Sequence, residues 1–157
     1  MQSRLNAKEL SPRGMKALGA LHAFVHDCGL EFTLLVLVKL RASQLNGCAH
    51  CIDMHSKELL ANNESTQRLL LLSAWREAPH YSPRERAALE WTEAVTLVAD
   101  GHVPDEAYEI ARAHFAETEL VNLTLAIVAI NGANRLNIAF RTVPGDYIAK
   151  RSVKSNG

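Results

Sequence analysis

The chain has 157 residues, 48% of them apolar, which is enough to fill the core of one compact domain. Lys plus Arg and Asp plus Glu each number 17, so the formal net charge is zero and supplies no electrostatic reason to expect nucleic acid or an anionic membrane as partner. A small molecule or another protein is the expected partner, and zero charge removes the long-range self-repulsion that opposes self-association.

The opening residues lack the apolar stretch of a secretory signal, and a cytoplasmic address is expected. The longest apolar runs, 34–38 and 69–72, fall short of the roughly 18–20 residues of a spanning helix, so no membrane span is expected. Apolar residues recur at helical spacing nearly throughout, and no alternating run rich in β-branched residues marks a strand. An all-α fold of about seven helices is predicted.

The spacing predicts a first helix over residues 11–27, stopped by Cys28-Gly29, where glycine adopts the left-handed conformation at little cost. A second, over 31–45, carries Leu34, Leu35, Leu37, Val38 and Leu40 and ends at Asn46-Gly47. Gly47 directly precedes Cys48, so two thiols open a third, central helix over 48–62. A short fourth helix is expected over 65–75, then a loop containing Pro79, His80 and Tyr81. Ser82-Pro83-Arg84-Glu85 is a helix start, with Ser82 at the N-cap, Pro83 at the first helical position and Glu85 closing a capping box. That helix should last to Asp100-Gly101, and Pro104-Asp105-Glu106 opens a sixth, reaching residue 115. The last helix, over 118–141, contains the stretch 123–130, which is apolar on nearly every side. Burial all round is therefore expected, and in so small a domain neighbouring subunits of a homo-oligomer would complete it. Residues 152–157 read as a frayed tail of a single domain spanning 1–157, without internal repeats or linkers.

Chemistry concentrates in Cys48-Ala49-His50-Cys51-Ile52-Asp53-Met54-His55. At helical periodicity Cys48, Cys51 and His55 share one narrow stripe of surface. A helix start favours a thiolate through its unpaired N–H groups and partial positive charge, and Cys48 should feel this most. In such Cys-x-x-Cys sites the thiol pKa falls from about 8.5 to roughly 3.5–7.5, and the partner thiol is close enough for disulfide closure. A peroxide converts one thiolate to sulfenic acid, the other thiol condenses with it to a disulfide, and an external dithiol or protein reductant resets the pair. His55, one turn beyond Cys51, can accept the thiol proton or pass one to the leaving group. His50 projects sideways and can gate or hydrogen-bond near the site. No cofactor is called for.

A zinc site built from Cys48, Cys51 and a histidine is the competing reading, but it needs a fourth ligand, and no second Cys pair is present. Cys28 stands alone and is expected to be a small buried hydrophobe. His22 and His26, spaced i, i+4, are expected on a solvated or interface face, and His80, His102 and His114 in loops or on the surface. Arg41 and Gln44 either hold the turn before the thiols or face the pocket.

The run from Lys39 to His55 resembles the carboxymuconolactone decarboxylase superfamily, specifically its alkylhydroperoxidase AhpD-like branch, with support from Asn131-Gly132-Ala133-Asn134-Arg135-Leu136-Asn137. The similarity covers about residues 29–141. It implies an all-helical fold assembled as trimers or hexamers, and a thiol-dependent peroxidase that reduces organic hydroperoxides or hydrogen peroxide. It further implies that Cys51 attacks the peroxide, Cys48 resolves the sulfenic acid and His55 relays the proton, with His50 matching a histidine found between the cysteines in some members. The pattern's relay glutamate falls on Val36, which cannot carry a proton. Glu58, three residues after His55 and close to its stripe, is the expected replacement, with Glu31 as a second candidate. A lactone decarboxylase, which does not need a dithiol, and a non-enzymatic redox sensor are the alternative functions.

Overall fold

The computed structural model describes residues 2–151; residues 1 and 152–157, including the expected frayed tail, lie outside the described part. The described residues form nine α-helices and one 3₁₀ turn, without a strand. In chain order they are α1 (Ala7–Leu10), α2 (Pro12–His26), α3 (Phe32–Asn46), α4 (Ala49–Ala61), α5 (Thr66–Leu71), α6 (Pro83–Thr96), α7 (Val98–Gly101), α8 (Asp105–Arg112) and α9 (Glu117–Phe140).

The all-α prediction holds, and the count exceeds seven for two local reasons. Asn6 accepts hydrogen bonds from the Lys8 and Glu9 backbone N–H groups and so caps an additional turn, α1. The helix expected to run to Gly101 breaks at Leu97 (φ −96°, ψ 27°), which separates α6 from α7. The fourth predicted helix tightens to a 3₁₀ turn over Leu72–Ala74, where Leu72 and Trp75 are buried. The capping box forms as expected: Ser82 Oγ accepts from Glu85 N at 3.2 Å, and Glu85 Oε2 accepts from Ser82 N at 2.8 Å.

α3 is the centre of the bundle, packed against α4, α6 and α9. Its continuous apolar run follows from that position, since Leu34, Leu35, Val36, Leu37, Val38 and Leu40 are all buried although they point to different sides. α9 lies against α2, α3 and α6 and buries Leu123, Ala126, Ile127, Ala129 and Ile130. Its burial is not all-round within one chain, because Val121 and Val128 remain 59% and 51% exposed. At 24 residues α9 is long and apolar enough to cross a membrane by length and composition, yet it carries inward asparagines and packs as a core helix.

The turn between α3 and α4 positions the thiols. Gly47 adopts φ 70°, ψ 31°, a left-handed conformation that favours glycine. Its N–H bonds the Gln44 carbonyl at 3.2 Å while the Cys48 N–H bonds the Ser43 carbonyl at 3.0 Å, the paired bonds of a Schellman ending. Cys48 emerges from that turn as the N-cap of α4.

Candidate active site

Cys48 at the N-cap and Cys51 in the first turn of α4 are joined as a disulfide, with Cα atoms 5.4 Å apart. Both are buried among Ala42, Ile130 and Ala133. The expected shared stripe is therefore realised as a covalent pair beneath α9. Asn137 of α9 donates from Nδ2 to Cys51 Sγ at 3.4 Å.

His55 follows one turn later and is 4% exposed. Its Nδ1 lies 2.7 Å from Glu58 Oε2, and Tyr147 OH donates to Glu58 Oε1 at 2.9 Å. Burial pushes the His55 pKa below its ordinary value, and the Glu58 hydrogen bond opposes this only in part. Burial alone would raise Glu58, but hydrogen bonds from His55 and Tyr147 and the charge of Lys39 bring it below the usual carboxylate range. Tyr147 is pushed up to about 12 by burial and by the adjacent Glu58. Near neutral pH the pair is thus an ionised carboxylate and a neutral imidazole, with the hydrogen on Nδ1. His55 Nε2 then presents its lone pair, and it is buried without a hydrogen-bond partner.

Val36 is buried in an apolar cluster with Leu37, Leu40, Leu59 and Trp75, so no acid acts from that position. The expected substitute Glu58 reaches His55. The second candidate, Glu31, does not: it pairs with Arg84 at 3.1 Å on the surface. Arg41 pairs with Glu93 at 2.7 Å and donates to Gln44, so it ties α3 to α6 and does not face the thiols.

His22, expected on a solvated or interface face, is half-buried. It lines a groove of about 560 Å³ together with Leu18, His50, Leu136, Asn137 and Phe140, and burial followed by the charges of Lys39 and His55 lowers its pKa. Its helical partner His26 does face solvent, beside Asp27 at 2.9 Å. Lys39, also lowered by burial, feels the charge of Glu58. His50 lines the groove and places Nδ1 3.1 Å from the Val143 carbonyl. Cys28 is half-buried and free, packed on the main core. His102 and His114 are exposed and His80 lies half-buried in the turn before α6, so all three are in loops or at the surface as expected.

Residues 142–147 lie along α4 as a strap. Gly145 N donates to Asp53 Oδ2 at 3.1 Å, and Lys57 Nζ donates to the Gly145 carbonyl at 2.8 Å. With the Val143 and Tyr147 contacts, these bonds hold Tyr147 over Glu58. Sequence reasoning missed Tyr147 and Lys39 as site residues; Asn137 appeared only within the motif of the last helix. Among the described residues, no three His, Cys, Asp or Glu side chains are grouped to hold a metal ion.

A family model described as carboxymuconolactone decarboxylase family matches residues 12–94, beginning further toward the N-terminus than expected and stopping before α9. The chain is 42% identical over 139 residues to the uncharacterized protein YdfG of Bacillus subtilis, covering 88% of this chain and 95% of that protein. Among solved structures, the Agrobacterium tumefaciens protein ATU0492 superposes with a TM-score of 0.90 at 45% identity, covering 93% of this chain and 100% of that one. It is described as a protein of unknown function and a candidate antioxidant defence protein AhpD. The debrominase Bmp8 shares the fold, with a TM-score of 0.77 at 18% identity over 88% of this chain and 74% of its own.

Proposed function

This chain belongs to the carboxymuconolactone decarboxylase family, in its AhpD-like branch, and from that membership we propose that it is a thiol-dependent peroxidase acting through Cys48 and Cys51. The observation that carries the reading is the disulfide-bonded pair one helical turn from His55, whose Nδ1 is held by Glu58 and whose Nε2 is free. A lactone decarboxylase does not need a dithiol, so a lyase reading leaves the Cys48–Cys51 pair without a role.

In the reduced protein His55 Nε2 takes the proton of Cys51. The thiolate attacks the terminal oxygen of a hydroperoxide, forming the S–O bond as the O–O bond breaks. The alkoxide, or hydroxide when the substrate is hydrogen peroxide, takes the proton from His55 and leaves as alcohol or water. Cys48 then attacks the sulfenic sulfur, forming the disulfide and releasing water, and an external dithiol or protein reductant returns two electrons and two protons. Glu58 holds the imidazole tautomer and Tyr147 holds Glu58, so a carboxylate on α4 serves where the family pattern would place one at Val36. His50 serves at the groove. A reducing compartment such as the cytoplasm suits a pair that must be reset. Self-association into trimers or hexamers belongs to the same proposal.

The test supplies hydroperoxide and a regenerating dithiol to the wild type, Cys51→Ser and Cys48→Ser. Consumption is expected to be lost without Cys51, and to stop after one turnover or require an external thiol without Cys48. Peroxide consumption indifferent to both substitutions would reject the dithiol mechanism, and a disulfide that forms without turnover would favour the sensor reading.

A further inference from the structure

The two sulfurs differ in their surroundings. Both are buried in the apolar cluster of Ala42, Ile130 and Ala133, which disfavours a thiolate on either. Cys48 is the N-cap of α4, but its side chain accepts no capping hydrogen bond. Among the described residues, the one hydrogen bond to either sulfur is that of Asn137 Nδ2 to Cys51 Sγ, at 3.4 Å.

Asn137 is also placed by its neighbours. Asn131, Asn134 and Asn137 recur every three residues on α9, so they share one face of the helix. The first two lock α9 to α3: Asn46 Nδ2 donates to both Asn131 Oδ1 and Asn134 Oδ1 at 2.9 Å, and Asn134 Nδ2 donates to Ser43 Oγ at 3.1 Å. The third has no such partner on α3 and instead reaches the sulfur. It lines the groove as well, so it stands where a molecule in the groove meets Cys51.

We propose that Asn137 is a catalytic residue: its side-chain amide stabilises the Cys51 thiolate and thereby makes Cys51, against the pull of the helix start on Cys48, the attacking sulfur. An N–H donor to an anionic sulfur is charge-assisted, and it favours the ionised form over the thiol. The assignment rests on the dithiol peroxidase reading above, but it is measured without turnover, so the two fail separately.

The experiment uses two reduced backgrounds of the full chain. Cys28→Ser with Cys48→Ser leaves Cys51 as the sole thiol, and Cys28→Ser with Cys51→Ser leaves Cys48. Iodoacetamide alkylation and ultraviolet thiolate absorbance are followed against pH in each, with and without Asn137→Leu. The other titratable groups near the site, His50, His55 and Glu58 on α4, Lys39 on α3, His22 on α2 and Tyr147 on the strap, are common to every variant. Asn137→Leu is expected to lower the Cys51 thiolate fraction and alkylation rate at pH 7 about tenfold while changing Cys48 less than about twofold. Asn137→Ser, which is smaller and cannot reach the sulfur, replaces the leucine variant should that fail to fold by circular dichroism. A Cys51 titration changed less than about twofold, or an equal change at Cys48, would overturn the proposal.

Discussion

His55 has two nitrogens in unlike surroundings, one bonded to Glu58 and one buried without a partner, and that asymmetry makes it a directed base. Because burial lowers its pKa, the imidazole is neutral at pH 7, and activity should fall only as pH drops below the ordinary histidine value and Nε2 takes a proton. Glu58 raises the His55 pKa, so Glu58→Gln should lower kcat about 10- to 100-fold and move the acid limb to still lower pH. Tyr147→Phe leaves the carboxylate and its bond to His55 in place, and a loss of about three- to tenfold is expected. Steady-state kinetics across pH check both, and unchanged kcat in Glu58→Gln would remove Glu58 from the relay. Glu58 was legible in the sequence because residues three apart on a helix meet. Tyr147, 89 positions from Glu58, left no local signal.

The short connection between α3 and α4 shows how an element ending can place chemistry. The Asn46-Gly47 stop was legible because only glycine takes φ 70° without strain, and the next residue must then open α4 with its N-terminus at the thiols. A Cβ at Gly47 would meet no atom within 4 Å, so the cost of Gly47→Ala is conformational and not steric crowding. Urea unfolding should show a loss of about 1–2 kcal/mol for Gly47→Ala and a smaller one for Gly47→Asn, since asparagine tolerates the left-handed region better. Equal losses for the two variants would point away from the turn. The split of the fifth predicted helix at Leu97 was not legible, because its apolar spacing continues through the break.

At the scale of the molecule, α9 carries the unfinished business of burial. Val121 and Val128 lie seven residues apart on one face and remain more than half exposed, while Leu120, Leu123, Ala126, Ile127, Ala129 and Ile130 of the same helix are buried. The proposed self-association covers that face, so the wild type should run well above the 17.3 kDa monomer in light scattering and Val128→Glu should shift it toward that mass. A wild type at monomer mass would remove the proposal. The sequence by itself determined the helical class, the helix start at Ser82, the place of the dithiol and the His55–Glu58 pair. All of these depend on residues within a turn or two of each other, whose relative positions helix geometry dictates. Tertiary structure alone decided that Asn137, 86 positions away, meets Cys51, that Tyr147 meets Glu58, and that His22 turns toward a groove. Those contacts exist only once α2, α9 and the strap pack around α3 and α4, and packing of separate helices depends on the complementarity of whole faces, which no local spacing contains.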